Sequence, residues 1–259
     1  MTLKLLTATL IFVLTAQYAS AEEGKGFIKG RALLPSGKPM QNALVLCYQK
    51  QNGSPPLPER YWRVPDSVVP VEADGKYTVE LTEGEYYLGL IGRKSAELVP
   101  GPPLEGDILI LLKNKSGEPE VIKVSAGITI DTGTQKGSVY RRSALNTVKP
   151  TTVEGTVKLP DGKPVPGAFV FAFHSPERGS RPVFASDKTD RSGKYVLRVD
   201  GDGVFYLKAR DIYGGGKPQP GQLHGVYGGE EAAQVTTIKG NKLKGIDIVV
   251  NQTDRPAGK

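Results

Sequence analysis

VEGTVKLPDGKPVPGAFVFAF, residues 153–173, decides the architecture. In its first seven residues Val153, Val157 and Leu159 share one side, and Glu154, Thr156 and Lys158 share the other. That period of two is a strand with one buried face. Residues 159–164, LPDGKP, then read as a turn: Pro presets φ, Asp bonds locally and Gly accepts positive φ. AFVFAF at 168–173 reads as a second strand, more buried than the first. A hairpin-like unit of this kind, built from short strands and Gly/Pro turns, belongs to all-β folds.

The same unit occurs twice. IKGRALLPSGKPMQNALVLCY at 28–48 aligns with it at an offset of 125 without a gap. Gly30 falls on Gly155, Pro35 on Pro160, residues 37–39 on 162–164, Ala43 on Ala168 and Val45 on Val170. A second block, ADGKYTVEL at 73–81, falls on RSGKYVLRV at 191–199 at an offset of 118, and EYYLGL at 85–90 on VFYLKA at 204–209 at 119. The first copy therefore holds seven more residues between its first two blocks. A period above 100 residues is far beyond any solenoid repeat, so each copy is a domain of small-sandwich size. Residues 246–250, IDIVV, close the second copy.

The order of these blocks resembles the carboxypeptidase regulatory-like domain family, a transthyretin-like sandwich. The second copy carries the whole pattern: Gly155, Val157, residues 161–164 as DGKP, Ala168, Val170, Thr189, Asp190, Gly193, Tyr195 and residues 205–207 as FYL. The first copy departs from it, with Ala32 for Val, Ser36 for Asp and ADG at 73–75. The resemblance implies two tandem Ig-like/transthyretin-like antiparallel β-sandwich domains, usually non-catalytic attachment or interaction modules. Fold analogy does not fix function.

Composition agrees with this reading. The 259 residues include 32 Gly and 20 Pro, with a single Cys, which excludes a disulfide framework. At the N-terminus Lys4, an apolar run over 5–16 and the Ala19-Ser20-Ala21 triplet read as a secretory signal peptide. The expected organisation is a leader at 1–21, a first sandwich at 22–145, a linker at 146–152, a second sandwich at 153–254 and a tail at 255–259. The mature chain is expected to carry no transmembrane segment and to be periplasmic, extracellular or at the cell surface. Losing Lys4 lowers the net charge from +7 to +6. The basic residues are scattered, with no stripe or reading motif for nucleic acid.

Catalytic signals are sparse. The two histidines, His174 and His224, are far apart, and no zinc, haem or phosphate-loop motif is present. No cofactor or metal is implied, and the chain is expected not to be an enzyme. Asp187, Asp190, Asp200 and Asp202 read as turn residues first and calcium ligands second. Lys158 and Asn251 fit a crosslink between first and last strands poorly, because Lys158 lies on the solvent face. Cys47 reads as an inert buried thiol. Asn52, Asn114 and Asn251 head glycosylation sequons, which matter only in a eukaryotic secretory host.

Two loops are candidate binding surfaces. SPPLPERYWRVP at 54–65 presents Arg60, Tyr61, Trp62 and Arg63, a composition typical of interface hot spots. The alternative is that Trp62 packs on its own sandwich or on the second. DIYGGGKPQPGQLHGVYGG at 211–229 places Tyr213, His224 and Tyr227 among glycines, as a binding loop or a flexible connector. The expected function is a secreted, non-catalytic binding or structural partner in an extracytoplasmic assembly. A carbohydrate or cell-wall polymer module, using Tyr61, Trp62, Tyr213 and Tyr227, is the alternative, and an enzyme of unrecognised type is the third reading.

Overall fold

The computed structural model describes residues 24–95, 98–142, 149–177, 179–214 and 216–253. The expected leader, residues 146–148 of the expected linker and the tail at 255–259 lie outside the described residues. The protein is all-β, built from antiparallel-rich sheets in sandwiches, and no α-helix occurs among the described residues. No helix there is long and apolar enough to cross a membrane.

The first half contributes β1 (Lys25–Leu33), β2 (Ala43–Gln49), β3 (Ser67–Pro70), β4 (Lys76–Thr82), β5 (Gly84–Gly92), β6 (Ile108–Leu111), β7 (Ile122–Val124), β8 (Thr129–Lys136) and β9 (Ser138–Val139). The second contributes β10 (Thr151–Lys158), β11 (Phe169–Phe173), β12 (Phe184–Ala185), β13 (Lys194–Val199), β14 (Gly203–Arg210), β15 (Leu223–Val226), β16 (Gln234–Thr237), β17 (Lys242–Leu243), β18 (Ile248–Val249) and β19 (Asn251–Gln252). Named strands pair only within their own half. One sheet of the first half runs β4-β1-β8, and the other runs β3-β2-β5-β6-β9 with β7 also on β5. The second half repeats this plan, with β13-β10-β17, β18 on β10, and β12-β11-β14-β15-β19 with β16 on β14. In each half the first strand lies parallel to a closing strand: β1 with β8, and β10 with β17 and β18. Strand β10 begins at Thr151, inside the expected linker, and Thr151 and Thr152 are buried and paired with Val199 and Arg198.

The repeated glycine and tyrosine have one physical explanation. Gly30 lies directly opposite Tyr77 on the neighbouring strand, and Gly155 opposite Tyr195. Each ring reaches across the bare glycine to the closing segment. The Tyr77 hydroxyl meets Thr132 Oγ1 at 2.7 Å, and the Tyr195 hydroxyl donates to the Ile246 carbonyl at 2.7 Å. A Cβ on Gly155 would collide with the Ile246 backbone; one on Gly30 would strike the Thr132 and Tyr77 side chains. The glycine of the GKY block is fixed by conformation instead: Gly75 has φ +85° and Gly193 φ +74°, which L side chains avoid.

Burial patterns order the layers. β4 and β13 alternate exposed and buried residues along most of their length, as strands with one wet face do. β11 is buried at every position, and β2 at all but its last. Val45, Cys47, Val170 and Ala172 point into their own sandwich cores, whereas Leu44, Leu46, Tyr48, Phe169, Phe171 and Phe173 form a third core between the halves. The four sheets therefore stack as four layers, with the two inner sheets covered on both faces. Residues 44, 46 and 48 are the repeat equivalents of 169, 171 and 173, so the halves meet through corresponding faces. Burying each phenylalanine contributes about 1.5–3 kcal/mol. A junction this apolar suppresses the relative motion expected of loosely linked domains.

Candidate functional site

The aromatic loop of the first half is the main structural difference between the copies, and it serves the junction. Its chain doubles back at residues 57–61, where the Arg60 and Tyr61 amides donate to the Leu57 carbonyl at 2.8 and 2.9 Å. It then runs along the edge strand β12 of the second sandwich. The Val64 amide donates to the Val183 carbonyl at 2.8 Å, and the Ala185 amide to the Trp62 carbonyl at 3.1 Å. The first half thus adds a short strand to an exposed edge of the second, which satisfies backbone groups that would otherwise face solvent.

Tyr61 belongs to the hydrophobic core of the second sandwich although its chain belongs to the first. Its ring packs edge-on against Phe184 at 5.2 Å, and its hydroxyl donates to the Pro55 carbonyl at 2.8 Å. Burial raises the pKa of the phenol well above its ordinary value. Trp62 lies in the core between the halves, and its Nε1 donates to the Tyr213 hydroxyl at 2.9 Å. Tyr213 stands edge-on to Phe169 and Phe171, at 5.3 and 5.4 Å. The phenol of Tyr213 is also pushed up by burial.

Arg63 is 2% exposed and anchors the base of the loop. Its guanidinium donates to the Gly53, Ser54 and Gln49 carbonyls at 3.1, 2.6 and 2.6 Å, and pairs with Asp66 at 3.2 Å. It also sits 5.4 Å from the centre of the Tyr48 ring. Burial lowers its pKa, and Asp66 opposes that effect. Every one of these contacts fixes loop shape, and none leaves the cation free for a ligand. Arg60 alone of the four is exposed.

The second loop does not converge on this point as a whole. Tyr213 joins Trp62, 151 residues away in sequence. Tyr227 packs against the second core. His224, on β15, pairs with Asn251 of β19, and its Nδ1 lies 3.1 Å from Thr253 Oγ1. The same hydroxyl lies 3.0 Å from the Gln222 carbonyl, to which it can donate. Arg210 braces the glycine-rich turn through the Gly214 and Gly216 carbonyls, at 3.2 and 3.1 Å.

These positions correct the expectation of a sugar platform on Tyr61 and Trp62. Stacking needs an open ring face, and these rings are 2% and 6% exposed. The packing alternative, with Trp62 on the second sandwich, is the arrangement observed. The aspartates are accounted for locally. Asp190 Oδ1 accepts from the Ser192 and Lys194 amides and the Ser192 hydroxyl, which holds its carboxyl below the usual range. Asp202 accepts from the Lys239 amide, Asp187 pairs with Arg142 at 3.0 Å, and Asp200 is exposed. Among the described residues no three His, Cys, Asp or Glu side chains converge as a metal site. Lys158 pairs with Asp247 at 3.3 Å on the surface, as its solvent-facing position implied. Cys47 is fully buried, and desolvation pushes its thiol up to about 12.

What sequence reading missed is the face shared by the halves. The signal was present in the uninterrupted apolar runs of β2 and β11, since a strand with one solvated face alternates and these do not.

No family model matches the chain, and no curated protein matches it. Solved structures do. The Bacillus anthracis TIE protein is matched over 88% of this chain and 34% of its own, at 16% identity and a TM-score of 0.26. The shaft pilin spaA from Lactobacillus rhamnosus GG is matched over 90% and 99%, at 11% identity and 0.24. GBS52, the minor pilin of Streptococcus agalactiae, is matched over 90% and 100%, at 14% identity and 0.24. The chain spans about a third of the first of these. From its own strands and cores, the chain is an all-β protein of two sandwiches joined by a third core.

Proposed function

We propose that this chain is a non-catalytic structural protein of an extracytoplasmic assembly, in which two transthyretin-like sandwiches of the carboxypeptidase regulatory-like kind act as one rigid piece. The observation that carries this reading is Tyr61: a residue of the first sandwich completes the core of the second. A chain built to let its halves move independently would not share a core residue between them. The loop richest in binding chemistry is spent on this union, so partners meet outer surfaces and edges. The family reading draws on the repeated strand order and the matched glycine–tyrosine pairs. The extracytoplasmic placement rests on the leader-like residues at 1–21.

The test is chemical crosslinking of the tagged mature protein in its native extracytoplasmic fraction, with captured species read by mass spectrometry and a glycan array run in parallel. A stoichiometric protein partner supports the assembly role. A clean capture together with saturable glycan binding replaces it with polymer attachment.

A further inference from the structure

Beside the junction, a groove of about 540 Å³ opens between the turn at 56–59 and the faces of β6 and β9. That volume lies within the roughly 300–1,000 Å³ of small-molecule sites. Leu109, Leu111 and Val139 form its floor, and Val139 is 39% exposed. Tyr48, Trp62 and Tyr140 contribute to its wall through their few exposed atoms. The mouth carries Lys113, Lys136 and Arg141 against one carboxylate, Glu59. Arg141 is held by Glu105 at 3.1 Å, whereas Lys113 and Lys136 have no ion pair among the described residues. A smaller recess shares Pro58, Trp62 and Tyr140 with the groove. It contains Arg198, whose Nε is buried without a hydrogen-bond partner among the described residues, and Asp187, which Arg142 holds at 3.0 Å.

We propose that this groove binds a small anionic amphiphile, a carboxylate on an apolar tail the size of a medium-chain fatty acid. The tail lies on Leu109, Leu111 and Val139, and the carboxylate sits between Lys113 and Lys136. The unpaired cations at the mouth select against a neutral lipid. The apolar floor selects against an extended peptide, which brings one amide and one carbonyl per residue that need partners. The edge of β6 that could pair with such a peptide is already occupied at Ile108 and Leu109 by β9. The buried faces of Trp62 and Tyr48 exclude stacking on a sugar ring. This site is independent of the assembly role.

Trp62 is the only tryptophan in the chain and lines the groove, so its emission reports occupancy directly. The experiment titrates the mature full-length protein with sodium decanoate, with calorimetry for stoichiometry, and repeats the titration with 1-decanol and with the blocked tetrapeptide Leu-Glu-Leu-Glu. The expected result is saturable one-to-one binding that shifts the Trp62 emission, with decanol and the peptide each about tenfold weaker or worse, the scale of one lost charge-assisted hydrogen bond. The Lys113→Gln/Lys136→Gln variant weakens decanoate by about the same factor without changing the melting temperature. Val139→Asp, on the exposed floor, abolishes binding in a protein with an unchanged circular dichroism spectrum. Binding that does not saturate, equal affinity for decanol, tighter binding of the peptide, or indifference to both variants overturns the proposal.

Discussion

The two sandwiches share a frame and differ in what they lend. Each places a tyrosine over a glycine and ties it to its closing segment, and each offers the same three positions of its second strand to the junction. Among the described residues, only the first extends a loop into its neighbour's core. The second receives it along β12 and through Phe184. The seven extra residues between the first copy's blocks fall in the span that holds this loop. The comparison teaches that divergence between the copies went into joining them: the frame stayed common and the insertion became the clamp.

The largest expected effect removes the shared residue. Tyr61→Ala leaves a cavity in the second core and costs about 3–5 kcal/mol, the range for aromatic truncation. Urea unfolding followed by Trp62 emission and by circular dichroism should shift together, because both probes follow one cooperative unit. A second sandwich that keeps its midpoint after this change would show that the loop is an ornament.

The next test asks whether the frames are equally strict. Gly155→Ala meets the Ile246 backbone, whereas Gly30→Ala meets the Thr132 and Tyr77 side chains. Overpacking costs about 1–3 kcal/mol and sometimes more. Gly155→Ala should lie above that range and Gly30→Ala within it, as read by melting temperature. Equal losses would remove the proposed difference between the closing segments.

A smaller effect is expected from Tyr213→Phe. It keeps the ring against Phe169 and Phe171 but leaves the Trp62 indole N–H buried without its partner, at about 1–3 kcal/mol. Double-mutant cycles with Trp62→Phe should recover part of the loss, since neither polar group then remains.

The smallest concerns Cys47, which stands where the second copy has Ala172. Its folded-state pKa is raised from 9.0 to about 12 by burial. The stability associated with the neutral thiol is therefore complete below about pH 9 and lost as pH rises toward about 12. Cys47→Ala should flatten the alkaline slope of stability relative to the parent, and the native thiol should resist Ellman's reagent at pH 8. An unchanged slope assigns the alkaline loss to the buried tyrosines instead.

Much of the fold was legible because it rests on local chemistry. Period-two strands, DGK turns and the duplicated glycine–tyrosine spacing are written within short windows, and Lys194–Val199 formed the expected strand. The candidate site was legible only as composition. Tyr61, Trp62 and Arg63 were singled out for their side chains, but whether an aromatic loop meets a ligand or a neighbouring core depends on contacts such as that between Trp62 and Tyr213, 151 residues apart. Period-two alternation also says nothing about a groove whose unpaired cations come from the segment after β6 and the end of β8.

The parallel pairing of first and closing strands has a mechanical consequence. Tension along the chain pulls β1 from its N-terminal end and β8 from its C-terminal end, so the strands are loaded in shear and their hydrogen bonds must fail together rather than one by one. In the first sandwich the contact runs along one strand pair from Phe27 opposite Thr129 to Leu33 opposite Lys136, with one register shift between Lys29 and Arg31. In the second it is split into two short stretches, Thr152–Val153 on β17 and Val157–Lys158 on β18. Stretched end to end, the molecule should yield first in its second sandwich, with the first bearing the higher load.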